Sequence, residues 1–248
     1  MASRKILPAT VIILIAASMI AAGCGVSGPD LIFNRSAKNP VMVLRTLQAL
    51  APLYNPNAPA AIYYGDGTVV LKKDSYSYQS GKLAEGGIDD TLKTISDNGF
   101  FQMKSKYTGA PVPGGKTSVL QVKLKEKLYE VTVESGAGPK GWNEIMTAVT
   151  KPELPKTSTY YPPTVHLHAT PFGAAEEGVT VKNWPADAGD LAAVGESPKG
   201  LNISGDKAEN AWKAIGGAVK GTAVVLWRYK DDLYGNVYAA PIFTGVPE

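Results

Sequence analysis

Two histidines, one Ser-x-x-Lys tetrad and one cysteine are the groups in this 248-residue sequence whose types and spacing bear on chemistry. His166 and His168 are the only histidines. Thr164 to Ala169 reads as a strand, where residues two apart face the same side, as paired imidazole ligands of a metal ion do. Such a site needs a third ligand, and Glu176, Glu177 or Asp187 can supply it only if the fold returns one of them. The plainer reading is a pair of surface histidines. Ser204-Gly205-Asp206-Lys207 has the spacing of a nucleophilic serine and its lysine. The Ser-x-Asn and Lys-Thr-Gly partners of that chemistry do not follow, and Lys116-Thr117-Ser118 lies upstream, in the wrong order. Ser204 as a helix cap explains the same letters. No catalytic residue is assigned.

Cys24 closes Ala21-Ala22-Gly23-Cys24, directly after Val11 to Ile20, a run without charge that Arg4 and Lys5 precede. A short apolar stretch behind basic residues and ending in small ones is a processing signal rather than a membrane span. The pattern resembles a bacterial lipoprotein signal with its lipobox. That resemblance implies cleavage before Cys24 and a diacylglycerol on its sulfur, the only prosthetic group expected. Residues 1–23 are then a discarded signal and residues 24–40 a lipidated tether, small and turn-prone from Gly25 to Asp30. Two acyl chains give stable anchoring, each buried methylene contributing about 0.8 kcal/mol. The expected location is the extracytoplasmic face of the cell membrane, with the lipid bilayer as a partner. With no second cysteine, no internal disulfide is available to a protein exported to an oxidising compartment.

The chain carries 25 Lys plus Arg against 22 Asp plus Glu. Loss of Arg4 and Lys5 with the signal leaves 23 basic residues against the same 22 acids. A nearly neutral body argues against a nucleic-acid partner, which requires a clustered basic surface. It also gives no overall steering towards anionic lipid.

Glycine and proline interrupt every apolar run beyond the signal. Residues 41–48 read as a strand or a helical turn. Ala61 to Leu71 reads as a hairpin about Gly65-Asp66-Gly67. Residues 74–80 alternate serine with tyrosine, placing Tyr76 and Tyr78 on one face, either as packing residues or as an aromatic platform for a sugar ring or peptide. Ile88, Leu92 and Ile95 mark a helix over 87–99, and Trp142, Ile145 and Val149 a second over 139–149. Thr117 to Val133 reads as a hairpin with one buried face. Four prolines make residues 151–163 a stiff linker between an N-terminal domain, 41–150, and a C-terminal domain, 164–248. Past the strand at Thr164, the segment from Trp184-Pro185 reads as irregular, and Trp184 as an exposed binding residue. A helix from about Ser204 to Ile215 and a hairpin from Thr222 to Phe243 close the chain. The expected fold class is α+β, two small antiparallel-sheet and helix units. Lys123, Lys125, Leu128 and Tyr129 fall without a gap on Arg228, Lys230, Leu233 and Tyr234. A duplicated helix–hairpin motif would account for that match.

The order of these features, from Tyr63-Tyr64-Gly65-Asp66-Gly67-Thr68-Val69 through Gly99-Phe100, Tyr107 and Trp184-Pro185 to Trp212 and Pro241, resembles a group of uncharacterised bacterial extracytoplasmic lipoproteins. The resemblance implies a location and a fold class but no activity. The expected function is a membrane-anchored, non-enzymatic binding or interaction protein of the cell envelope, meeting an envelope protein or glycan through Tyr76, Tyr78 and Trp184, in the groove between its halves. An envelope hydrolase or metal-dependent enzyme using His166 and His168 is the alternative, and an assembly factor for exported proteins the third.

Overall fold

Alternating apolar and polar residues build strands along much of this chain. The structure is a computed structural model that describes residues 28–48, 58–110, 112–125, 127–219 and 225–246. The first part contains β1 (Pro40–Gln48), β2 (Pro59–Tyr64), β3 (Thr68–Asp74), β4 (Ser77–Lys82), α1 (Gly87–Asp97), β5 (Lys106–Tyr107), β6 (Lys116–Leu124), β7 (Lys127–Glu134), α2 (Trp142–Thr150) and β8 (Thr157–Tyr160). The second contains β9 (Thr164–Phe172), β10 (Thr180–Asn183), α3 (Leu191–Glu196), β11 (Leu201–Ser204), α4 (Asp206–Val219), β12 (Val225–Tyr229) and β13 (Asp232–Ile242). The strands form an eight-stranded sheet, β5-β7-β6-β1-β2-β3-β4-β8, and a five-stranded sheet, β10-β12-β13-β9-β11.

The α+β expectation is therefore overturned. Among the described residues thirteen strands stand against four short α-helices, in two sheets rather than two small sheet–helix units. The large sheet grows because β1 lies between β2 and β6, joining two hairpins that the sequence showed separately. The segment read as a linker adds β8, which pairs with β4 from Tyr78↔Tyr160 to Gly81↔Thr157. The duplicated motif fails on topology. In the first hairpin the second strand, β7, is the outer one and pairs with β5, whereas in the second hairpin the first strand, β12, is outer and pairs with β10. The sequence match reflects a shared turn, in which Lys125 and Lys230 both take positive φ, 49° and 56°.

Both faces of the large sheet are covered. Met42, Leu44, Tyr63, Val69 and Leu120 pack under α1 and α2, whose apolar stripes are Ile88, Leu92, Ile95 and Trp142, Ile145, Val149. The Tyr63 hydroxyl donates to the Val149 carbonyl at 2.8 Å, tying β2 to the end of α2. On the other face Val43, Ile62, Val70 and Tyr78 share a core with Val165, Leu167, Trp212 and Phe243 of the second half. The tight turn joining β2 to β3 carries Gly67 at φ 91°, conformational space that glycine enters at no steric cost.

The smaller sheet also buries one side. Val165, Leu167 and Ala169 of β9 point to α3 and α4, and the residues between them point away. The stretch read as irregular after Pro185 contains α3, capped by Asp190, whose carboxylate accepts from the Ala192 and Ala193 amides. It also contains β11, which pairs with β9.

Candidate functional site

His166 and His168 do lie on one side of β9, away from the core, opposite Ala240 and Tyr238 of β13. Each already has a local role. His166 Nδ1 lies 2.7 Å from Asn202 Oδ1 on β11. A Cβ on Gly200 would come within 2.9 Å of His166 Nε2, so the other ring nitrogen lies beside this glycine. His168 stacks on Tyr238 with ring centroids 4.9 Å apart and planes 15° apart, and its Nδ1 is buried with no hydrogen-bond partner. Among the described residues no group of three or more His, Cys, Asp or Glu side chains is placed to hold a metal ion. Glu176, Glu177 and Asp187 thus do not join His166 and His168 in such a group. Ser204 is likewise occupied, its hydroxyl lying 2.9 Å from that of Thr164 across the β9–β11 pair.

The aromatic surface expected from Tyr76, Tyr78 and Trp184 is also corrected. Their exposures are 9%, 2% and 5%, and all three belong to the core shared by the two sheets. Tyr76 sits in the β3–β4 turn rather than on a strand beside Tyr78, yet both rings meet Trp212 of α4, at 5.0 and 5.9 Å. Tyr78 also touches Phe243 edge-on at 5.3 Å, and its hydroxyl donates to the Pro59 carbonyl. Trp184 packs edge-on against Trp227 at 5.2 Å and donates its indole N–H to the Gly189 carbonyl. The expected groove between the halves is thus filled by the same rings that were to line it. Tyrosine and tryptophan bury large areas when their polar tip finds an acceptor, and Tyr78 and Trp184 do so.

A concave site that sequence reasoning missed lies at the start of α1. It is a cavity of about 370 Å³ between Arg35, the Gly65-Asp66-Gly67 turn, Lys82 and the first residues of the helix. Gly86 precedes α1 as its N-cap in a left-handed conformation with no side-chain cap, and Asp89 and Asp90 stand in the first turn, the acidic placement that the helix dipole favours. Asp89 receives a two-pronged contact from Arg35, at 2.8 and 3.1 Å. Asp66 accepts from the Thr68 amide at 3.0 Å and the Thr68 hydroxyl at 2.9 Å, with Lys82 Nζ 3.5 Å away. Partial burial pushes the Asp66 carboxyl up, but the Thr68 hydrogen bonds and Lys82 outweigh it and hold the group below its ordinary value. Arg35 and Lys82 are each matched to a carboxylate, Asp89 and Asp66, so both cations at this cavity serve to close the fold. The sequence signals were Gly65-Asp66-Gly67, read as a hairpin turn, and Gly86-Gly87 ahead of the helix. Nothing in them pairs Arg35 with Asp89, 54 positions away.

No family model matches the sequence, and neither the curated proteins nor the solved structures yield a match. Cys24, the remaining candidate, lies outside the described residues. No helix among the described residues is long and apolar enough to cross a membrane.

Proposed function

We propose that the protein is a lipoprotein of the bacterial cell envelope, anchored by a diacylglycerol on Cys24 at the extracytoplasmic face of the membrane, and that it acts there as a non-enzymatic binding or interaction protein. The observation that carries this reading is Ala21-Ala22-Gly23-Cys24 behind an uncharged run and a basic head, with no other cysteine in the chain. The reading without catalysis is supported by the way candidate reactive groups are used. His166, His168 and Ser204 each serve the β9 sheet, and no nucleophile–base pair forms among them. The partner is an envelope protein or glycan met by the folded body.

The test is fractionation of cells making the full-length chain or its Cys24→Ala variant. The wild-type protein is expected in the membrane fraction and released only by detergent. The variant is expected to escape lipidation and leave that fraction, or to persist with its signal uncleaved and a correspondingly larger mass. Wild-type and variant proteins of equal distribution and unprocessed mass would refute the anchor.

A further inference from the structure

The described part of the tether, from Gly28, is not a free leash. From Gly28 onward the chain is laid along the body. A Cβ on Gly28 would meet Ser96 Oγ at 3.2 Å at the end of α1, the Ile32 carbonyl accepts from the Lys125 amide at 2.8 Å, and Phe33 is buried under the large sheet. Four Cα-to-Cα steps lead from Cys24 to Gly28, a reach of about 14 Å at most. A lipid on Cys24 therefore holds one particular side of the molecule within that distance of the bilayer.

That side carries the tip of the β6–β7 hairpin, which has an amphipathic character. Lys123, Lys125 and Lys127 are exposed there. Ile32, 55% exposed, and Leu128, 53% exposed, flank the same turn and are two of the few large apolar side chains left in solvent. Among the described residues, Asp30 lies 3.5 Å from Lys125 Nζ. Lysines with apolar neighbours suit the headgroup boundary, where the ammonium meets phosphate and the apolar group enters the acyl edge.

We infer that this tip, Ile32 and Leu128 with Lys123, Lys125 and Lys127, rests on the bilayer surface and fixes the orientation of the anchored body, with anionic headgroups as the preferred contact. This rests on the lipid-anchor reading and goes beyond it: the chain as a whole is near neutral, and only the placement of the strap concentrates these groups at the membrane.

The experiment uses the full lipidated chain in vesicles of phosphatidylcholine, with or without phosphatidylglycerol. With Cys24 capped by lipid, an engineered cysteine is the only free thiol, so Leu128→Cys and, for comparison, Leu201→Cys on β11 each take one environment-sensitive fluorophore. A headgroup-borne lipid quencher is expected to quench position 128 at least about twofold more than position 201, and more in anionic vesicles. The triple variant Lys123→Glu, Lys125→Glu, Lys127→Glu is expected to remain vesicle-bound while losing the anionic enhancement. Protein that floats with vesicles but shows equal quenching at the two positions overturns the orientation and leaves the anchor standing. Protection of position 128 from an aqueous quencher without lipid quenching would assign the face to a second copy and also overturn it. Protein that does not float with vesicles overturns the anchor and this inference together.

Discussion

A Cβ at Gly65 would lie 1.8 Å from the Asn34 carbonyl oxygen, so the N-terminal strap and the β2–β3 turn coexist only because that residue has no side chain. Gly65→Ala is expected to cost about 1–3 kcal/mol, the usual range for forced overpacking, read as a lower urea midpoint at unchanged slope. Beside it, the depressed Asp66 carboxyl makes a pH prediction. A carboxyl held below its ordinary value of 3.8 contributes stability above that pH and loses it as pH falls through the folded value. Wild type should therefore exceed Asp66→Asn in Tm at pH 7, with the gap closing below about pH 4. A gap independent of pH would assign the effect to shape rather than charge. On the smaller sheet, His168 Nδ1 is buried without a hydrogen-bond partner. His168→Phe keeps a ring against Tyr238 and removes the orphaned atom, so it should raise stability by about 1 kcal/mol, read as a higher urea midpoint.

The elements that lay in contiguous periodic runs were legible, and those that depend on distant partners were not. α1, α2 and α4 appeared from the spacing of Ile88-Leu92-Ile95, Trp142-Ile145-Val149 and Ala208-Ala211-Trp212-Ile215, and the structure has all three. The β2–β3 and β6–β7 hairpins were visible from alternation about short turns. β8 and β11 were not, because Thr157–Tyr160 and Leu201–Ser204 are mostly exposed and carry little apolar pattern; each is a strand only because β4 or β9 offers an unpaired edge. The same limitation misplaced Tyr76, Tyr78 and Trp184. Alternation in sequence told that two tyrosines share a side but not that Trp212, more than 130 positions on, would cover them. Trp212→Ala should accordingly cost about 3–5 kcal/mol, as for other buried large-to-small changes, and Trp212→Phe much less. Denaturation of the two variants checks this. Burial also pushes the Tyr160 phenol up to about 12. Its share of stability is present below pH 10 and lost as pH rises through the folded value, so an absorbance titration should show a tyrosine class ionising well above the ordinary range.

At the scale of the whole molecule the decisive feature is that the two sheets share one apolar core. Val43, Ile62, Val70 and Tyr78 of the first lie with Val165, Leu167, Trp212 and Phe243 of the second. A chain of residues 28–150 would expose one face of its sheet and lack β8, and is expected to aggregate or to unfold well below the intact body. The intact body is expected to unfold in one transition by fluorescence and circular dichroism, whereas two separated transitions would show independent halves. The composition of the whole chain, by contrast, sets only a bound. Near neutrality after the expected loss of Arg4 and Lys5 argued against nucleic acid, but it could not show that the strap from Gly28 runs to the β6–β7 turn, where Lys123, Lys125 and Lys127 are exposed. The placement of the molecule rests on Cys24, and intact and N-terminal-fragment mass spectrometry of protein from its native membrane tests it most directly. The predicted result is a chain beginning at Cys24 and heavier by a diacylglyceryl group. An unmodified Cys24 thiol, or a chain still carrying Met1, would contradict it.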